Sequence, residues 1–258
     1  MSAPEVLVHR DADTLAEAVA ARLVTRLVDV AAARGRVHVS LTGGHIGIHV
    51  LSALAASPSR DSVDWSLVHV WWGDERYVEA SSPDRNERQA REALLDHVAL
   101  DPAHVHAMPS LDSGLDVDDA AALYAAELKA AARPEDHAAV PAFDVYLLGM
   151  GPEGHINSIF PQSPAAHEAV RTVVGVRNCP KPPPTRVSMT FPAIQAAREV
   201  WLVESGAEKA EAVRLAVGDA GQLQIPGAGA RGRERTLVLT DEAAASKLPP
   251  DLARIASP

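Results

Sequence analysis

Apolar positions along the chain switch repeatedly between a spacing of two and a spacing of three to four, and the switches predict an alternation of strands and helices. Glu5 to His9 alternates as a short strand. Asp13 to Arg34 follows as an amphipathic helix with Leu15, Val19, Leu23 and Leu27 on one face. Thr14 and Glu17 are spaced as a capping box, and Gly35 stops this helix. Arg36 to Leu41 is a second strand that runs directly into Thr42-Gly43-Gly44-His45-Ile46-Gly47 and an apolar helix through Ala56. Leu67 to Trp72 is a third strand, followed by a charged loop, Gly73-Asp74-Glu75-Arg76. Ser82-Pro83-Asp84 starts a helix to about His97, and Asp116 to Ala132 is another, with Leu123 and Leu128 inward. Phe143 to Met150 is a near-continuous apolar run, as expected of a parallel-sheet strand covered on both faces. Beyond Pro161 the pattern gives strands at Arg171–Val176, Arg186–Phe191, Val200–Glu204 and Thr236–Thr240, and Pro192 opens a short helix. A further helix spans Ala207–Val217, and Asp241 caps a turn before a short tail. The run Cys179-Pro180-Lys181-Pro182-Pro183-Pro184 reads as an extended, polyproline-like crossover, and the glycine-rich stretch Gly218 to Gly232 as mobile.

The strongest break in the pattern follows Phe143–Met150. Gly149, Gly151 and Gly154, with Pro152, make a tight turn at the carboxyl end of that strand, where open α/β sheets bind ligands. His155 comes immediately after it, and an imidazole suits proton transfer near neutral pH. The three glycines also satisfy the GxGxxG dinucleotide spacing. That reading requires a long helix opening at Gly154, which Pro161 would break, and an acidic residue about twenty positions on, which is missing. The plainer alternative is a loop histidine bonded to backbone. The Thr42 to Gly47 turn points free N–H groups and a helix start at whatever binds there, which favours phosphate, or it is a simple strand-to-helix connection. Lys209 lies in the first turn of its helix, where a cation opposes the helix dipole. A bound anion accounts for that placement, and so does a lysine reaching into water.

Composition bounds these choices. At 258 residues, 47% of them hydrophobic and 22% charged, the chain suits one large α/β domain spanning 1–258. A formal net charge of −10 with no basic stripe speaks against nucleic acid, and any small anionic ligand then needs a locally positive pocket. Cys179 is the only cysteine, which excludes an intrachain disulfide and fits a reducing cytoplasmic setting. Neither a signal peptide nor an apolar run of membrane-spanning length is visible. His104 and His106 would share a face on a strand, yet no third metal ligand is near in sequence.

Four stretches, Leu41-Thr-Gly-Gly-His-Ile-Gly47, Trp71-Trp-Gly-Asp-Glu-Arg-Tyr-Val78, Phe143 to Pro161 and Ser205-Gly-Ala-Glu-Lys-Ala-Glu-Ala-Val213, resemble in order and spacing the 6-phosphogluconolactonase family, lactone hydrolases of the pentose phosphate pathway. Pro180 to Ile194 fits as well, so the resemblance covers nearly the whole chain. It implies a three-layer αβα fold, a modified Rossmann-like, mostly parallel sheet shared with glucosamine-6-phosphate deaminases and ribose-5-phosphate isomerases. It also implies a monomer acting on a sugar-phosphate lactone with neither metal nor organic cofactor. By this resemblance His155 matches the general base, and Asp74 and Arg76 match polar groups lining the active site. Gly43, Gly44, Arg186 and Lys209 match positions around the substrate phosphate. The family usually has small or hydroxyl residues after the paired glycines, where this chain has His45 and Ile46, and Thr42 can supply a hydroxyl instead.

The residue types fit lactone hydrolysis on their own terms. A base must take a proton from water, positive groups must face the developing oxyanion, and the departing ring oxygen needs a proton. His155 can act as base and then acid. Arg76 can stabilise the oxyanion or the phosphate, and Asp74 can orient Arg76 or a substrate hydroxyl. No GxSxG nucleophile elbow is present, and attack by water needs none. The rivals are an amino-sugar phosphate deaminase or isomerase, which carries an Asn-Glu-Pro run where this chain has Ser158-Ile159-Phe160-Pro161, and a non-catalytic sugar-phosphate binder, which His45 suggests.

Overall fold

A computed structural model describes residues 2–218 and 220–257. In chain order the strands and α-helices are β1 (Pro4–His9), α1 (Ala12–Arg34), β2 (Val37–Leu41), α2 (His45–Ala56), β3 (Val68–Trp72), β4 (Asp74–Arg76), α3 (Asn86–Ala93), α4 (Val117–Ala131) and β5 (Val145–Leu148). They continue as β6 (Val173–Val176), β7 (Arg186–Met189), α5 (Phe191–Ile194), β8 (Glu199–Glu204), α6 (Ala210–Val217), β9 (Arg235–Asp241), α7 (Glu242–Ala245) and β10 (Ala253–Ser257).

Seven strands form a parallel sheet in the order β10-β1-β9-β8-β5-β2-β3. Because side chains alternate across a strand, each strand feeds two cores. Val145, Leu147, Trp201 and Val203 join the α1 and α2 side with Leu15, Val19, Leu23 and Leu27. Tyr146, Leu148, Val200 and Leu202 join the opposite side with Tyr124 and Leu128 of α4. This is the three-layer α/β arrangement, and the near-continuous apolar strands follow from burial on both faces.

Several expectations are corrected. Asp11, rather than Thr14, caps α1, its carboxylate accepting from the Thr14 N–H at 2.8 Å. Leu123 of α4 is 56% exposed while Leu128 is fully buried, so only one of the pair faces inward. The Gly73 to Arg76 segment is not a solvated loop, since β4 pairs antiparallel with β7, which pairs with β6, in a separate three-stranded sheet. α3 begins only at Asn86, four residues after Ser82, where Asn86 and Glu87 donate their N–H groups to Glu75. The proline run is bent rather than extended: the Cys179 N–H reaches the Pro184 carbonyl at 2.9 Å and closes the segment into a loop. Within the glycine-rich stretch, Pro226, Gly227 and Gly229 are buried in a short 3₁₀ turn, so this part is packed. The tail adds β10 beside β1.

Candidate active site

After β2 the chain crosses to β3 on one side of the sheet, and after β5 it crosses to β8 on the other. The carboxyl ends of β2 and β5 therefore flank a topological switch point, where an α/β sheet leaves a crevice. There the Gly149 N–H donates to Thr42 Oγ1 at 3.2 Å, joining the two loops. The crevice opens into a cleft of about 430 Å³ lined by Thr42, Gly43, Gly44, Asp74, Arg76, His155, Arg186 and Lys209, so all eight residues singled out in the sequence meet in one place.

His155 is held by a loop with no room to spare. The Gly151 N–H donates to the His155 carbonyl at 2.8 Å, and a β-carbon on Gly151 would run into the imidazole. No helix opens at Gly154. Met150 instead bridges back to Ile156, which removes the helix start that a dinucleotide reading requires. The imidazole stacks on Phe160 with centroids 4.4 Å apart. Glu153 Oε1 stands 3.0 Å from its Nδ1, at ion-pair distance but outside hydrogen-bond alignment. Burial pushes the His155 pKa down, with Lys181 acting in the same sense, while the carboxylates of Glu153 and Asp74 oppose. The imidazole is thus neutral at pH 7, as a base must be. Burial would raise the Glu153 pKa, but its own backbone N–H, His155 and Lys181 outweigh burial and hold the carboxyl below its usual range.

The cations of the cleft fall into two pairs. Lys181 Nζ lies 3.2 Å from Glu153, and Arg186 lies 3.9 Å from Asp74, so these two face carboxylates. Arg76 instead donates to the amide oxygen of Asn86, and Lys209 Nζ donates to the Met150 carbonyl at 2.6 Å. Among the described residues neither of these two cations has a carboxylate at ion-pair distance, so both leave positive charge in the cleft. Asn86 is fixed in turn by its donation to the Asp74 carbonyl at 2.9 Å, and its side chain fills the space that a β-carbon on Gly43 would need.

Two expected roles change. Asp74 does not orient Arg76, because its Oδ2 accepts from Ser158 Oγ at 2.7 Å and faces Arg186. Arg186 holds the proline loop, donating from Nε to the carbonyl of Pro183 at 2.7 Å and from Nη2 to those of Pro182 at 3.2 Å and Lys181 at 3.3 Å, while its Nη1 faces Asp74. Lys209 is the last residue of a 3₁₀ turn, Ala207–Lys209, and the N-cap of α6, instead of lying inside the helix. Thr42 Oγ1 is engaged between the two loops, and His45 is exposed at the cleft rim beside His49. Sequence reading missed Glu153, Asn86, Lys181, Asn157 and Glu204. Glu153, two residues before His155, was the one within reach, since a carboxylate next to a candidate base is a signal in itself.

His104 and His106 do acquire partners from elsewhere in the chain. His69 Nδ1 bonds His106 Nε2 at 3.0 Å, and the His69 and His104 rings lie 3.8 Å apart. Among the described residues no group of three or more histidines, cysteines or carboxylates is arranged to hold a metal ion.

Residues 10–239 match the family described as glucosamine-6-phosphate isomerases/6-phosphogluconolactonase. The chain is 57% identical over 251 residues to the 6-phosphogluconolactonase of Streptomyces coelicolor, with 96% of each chain covered. It is 51% identical over 241 residues to the 6-phosphogluconolactonase of Mycobacterium tuberculosis, covering 93% of this chain and 96% of that one. The solved structure of 6-phosphogluconolactonase from Trypanosoma brucei superposes with a TM-score of 0.79 at 26% identity, covering 95% of this chain and 99% of that one.

Proposed function

Since the chain belongs to the glucosamine-6-phosphate isomerase/6-phosphogluconolactonase family, we propose that it hydrolyses 6-phospho-D-glucono-1,5-lactone to 6-phosphogluconate, with His155 activating the attacking water. The observation that carries this reading is the convergence, in one cleft, of a neutral, carboxylate-flanked imidazole with two cations whose hydrogen-bond partners are neutral.

His155 takes a proton from water as the oxygen attacks the lactone carbonyl. Glu153, 3.0 Å from Nδ1, stabilises the imidazolium that forms, so Nε2 is the nitrogen that serves the water. The imidazolium then returns the proton to the departing ring oxygen. Arg76 faces the oxyanion, braced by Asn86 so that its guanidinium need not reorganise as charge develops. Lys209, with the Gly43-Gly44 turn at the start of α2, holds the phosphate. Arg186 positions the loop that carries Lys181 and does not hold the phosphate directly. No step in this sequence calls for a metal, so activity is expected to survive EDTA. The relatives at 51% and 57% identity carry the lactonase name, which favours this chemistry over the deaminase alternative.

A coupled assay on 6-phosphogluconolactone, with spontaneous hydrolysis subtracted, tests the activity. A Lys209→Ala variant tests the phosphate assignment. Loss of a charge-assisted hydrogen bond of about 1.5 to 3 kcal/mol should lower kcat/KM on the phosphorylated lactone roughly 10- to 150-fold and leave unphosphorylated gluconolactone nearly unaffected. Equal losses on both substrates would place Lys209 in the chemistry or the fold instead.

A further inference from the structure

Three carboxyl groups line the cleft, and their situations differ. Asp74 is bonded to Ser158, and Glu208 is exposed at the rim. Glu204, the last residue of β8, is 1% exposed, and its Oε1 has no hydrogen-bond partner among the described residues. Native structures satisfy nearly all such atoms, because an unpaired buried polar group costs on the order of 1 to 3 kcal/mol. The cost is understandable where a ligand supplies the missing partner. Beside Glu204 stands Lys209, whose ammonium is anchored on the Met150 carbonyl at 2.6 Å.

We propose that Glu204 determines specificity at the phosphate end of the cleft, its carboxyl O–H donating to a phosphate oxygen that Lys209 also holds. This inference rests on the assignment of Lys209 to the phosphate. The charge balance requires the neutral form. An ionised Glu204 would cancel Lys209 and place a carboxylate against a phosphate dianion, whereas the acid adds a donor and no charge. Burial raises the Glu204 pKa well above the carboxylate range, opposed by Lys209 and the Met150 N–H and reinforced by Glu208. The strand neighbour on β9, Thr240, does not titrate. Binding of the phosphate and retention of the Glu204 proton are therefore coupled, and affinity falls where the proton is lost.

The test is calorimetric titration of 6-phosphogluconate, which carries the same phosphate without a reactive lactone, into wild type, Glu204→Gln and Glu204→Leu between pH 7 and pH 9. Glu204→Leu, which cannot donate, should bind at least about tenfold more weakly at pH 7. Glu204→Gln, which cannot ionise, should lose less affinity than wild type as the pH rises. Wild-type affinity in Glu204→Leu, or parallel pH curves for wild type and Glu204→Gln, would overturn the proposal. The Gln variant preserves shape and keeps the test decisive if Leu disturbs folding. A wild type that fails to bind 6-phosphogluconate at all would contradict the functional reading itself and this inference with it.

Discussion

Glu153 and Lys181 act on His155 in opposite senses, and that opposition fixes a measurable quantity. In the proposed role of base His155 must be unprotonated, so kcat/KM should fall as pH drops through its pKa, which burial places below the ordinary 6.5. The Glu153 charge holds the pKa up against burial and Lys181. Glu153→Gln removes that support, and the acid limb of the kcat/KM profile should move to lower pH. A limb that stays in place or moves up would mean that the 3.0 Å contact has no electrostatic weight. At this scale the sequence was informative about which residues meet in one cleft and much less about their partners. His155, Lys209 and the paired glycines announce themselves by breaking local rules: a histidine after a glycine turn, a lysine at a helix start. Nothing in the spacing of Asp74 and Arg76 says that one will pair with Ser158 and the other with Asn86. Those partners come from the loop after β5 and from the start of α3, which only the tertiary fold brings to β4.

The loop from Cys179 to Pro184 is held by Arg186, whose guanidinium reaches three successive carbonyls and brings Lys181 to Glu153. Arg186→Ala should release this loop, lower kcat/KM by roughly tenfold or more on phosphorylated and unphosphorylated lactones alike, and reduce the melting temperature by a few degrees. A loss confined to the phosphorylated lactone would restore Arg186 to the direct phosphate role that the family resemblance implies. Long periodic elements such as α1 and the apolar strands were legible because burial on one or both faces writes itself into the spacing of Leu, Val and Ile. The short strand β4 was read as a loop because three residues cannot display a period and its partner β7 lies about 110 residues away, whereas β6 and β7, close in sequence, fall within the strands that the pattern gave. Leu123 shows a related limit: the buried face of α4 runs through Val117, Ala120, Ala121, Tyr124 and Leu128, and an apolar residue beside that stripe can face solvent.

Across the molecule, a stack of histidines at β2 and β3 makes stability depend on pH. Burial, reinforced by His69, pushes the pKa of His38 down to about 2, and burial with His104 and His106 pushes that of His69 to about 4. The unfolded chain binds these protons near pH 6.5 and the folded chain does not, so their contribution to stability is complete above pH 6.5 and is lost as pH falls, down to about 4 for His69 and about 2 for His38. Glu204, with its raised pKa, contributes in the opposite sense, so the comparison that isolates the effect is between variants. In His38→Asn the amide oxygen can still accept from Trp71 Nε1, as Nδ1 does at 3.1 Å. The slope of unfolding free energy against pH between 6.5 and 4 should then shrink by up to about 1.4 kcal/mol per pH unit. An unchanged slope would mean that His38 titrates normally. The same sheet that buries these rings at the amino-terminal side carries the reactive loops at its carboxyl ends, and the whole account depends on what His155 does there. The most direct test is the turnover of His155→Ala on 6-phosphogluconolactone, with spontaneous hydrolysis subtracted and folding verified by circular dichroism. A positioned acid–base group predicts a loss of roughly 10²- to 10⁴-fold in kcat. A folded His155→Ala protein that retains wild-type turnover would contradict it.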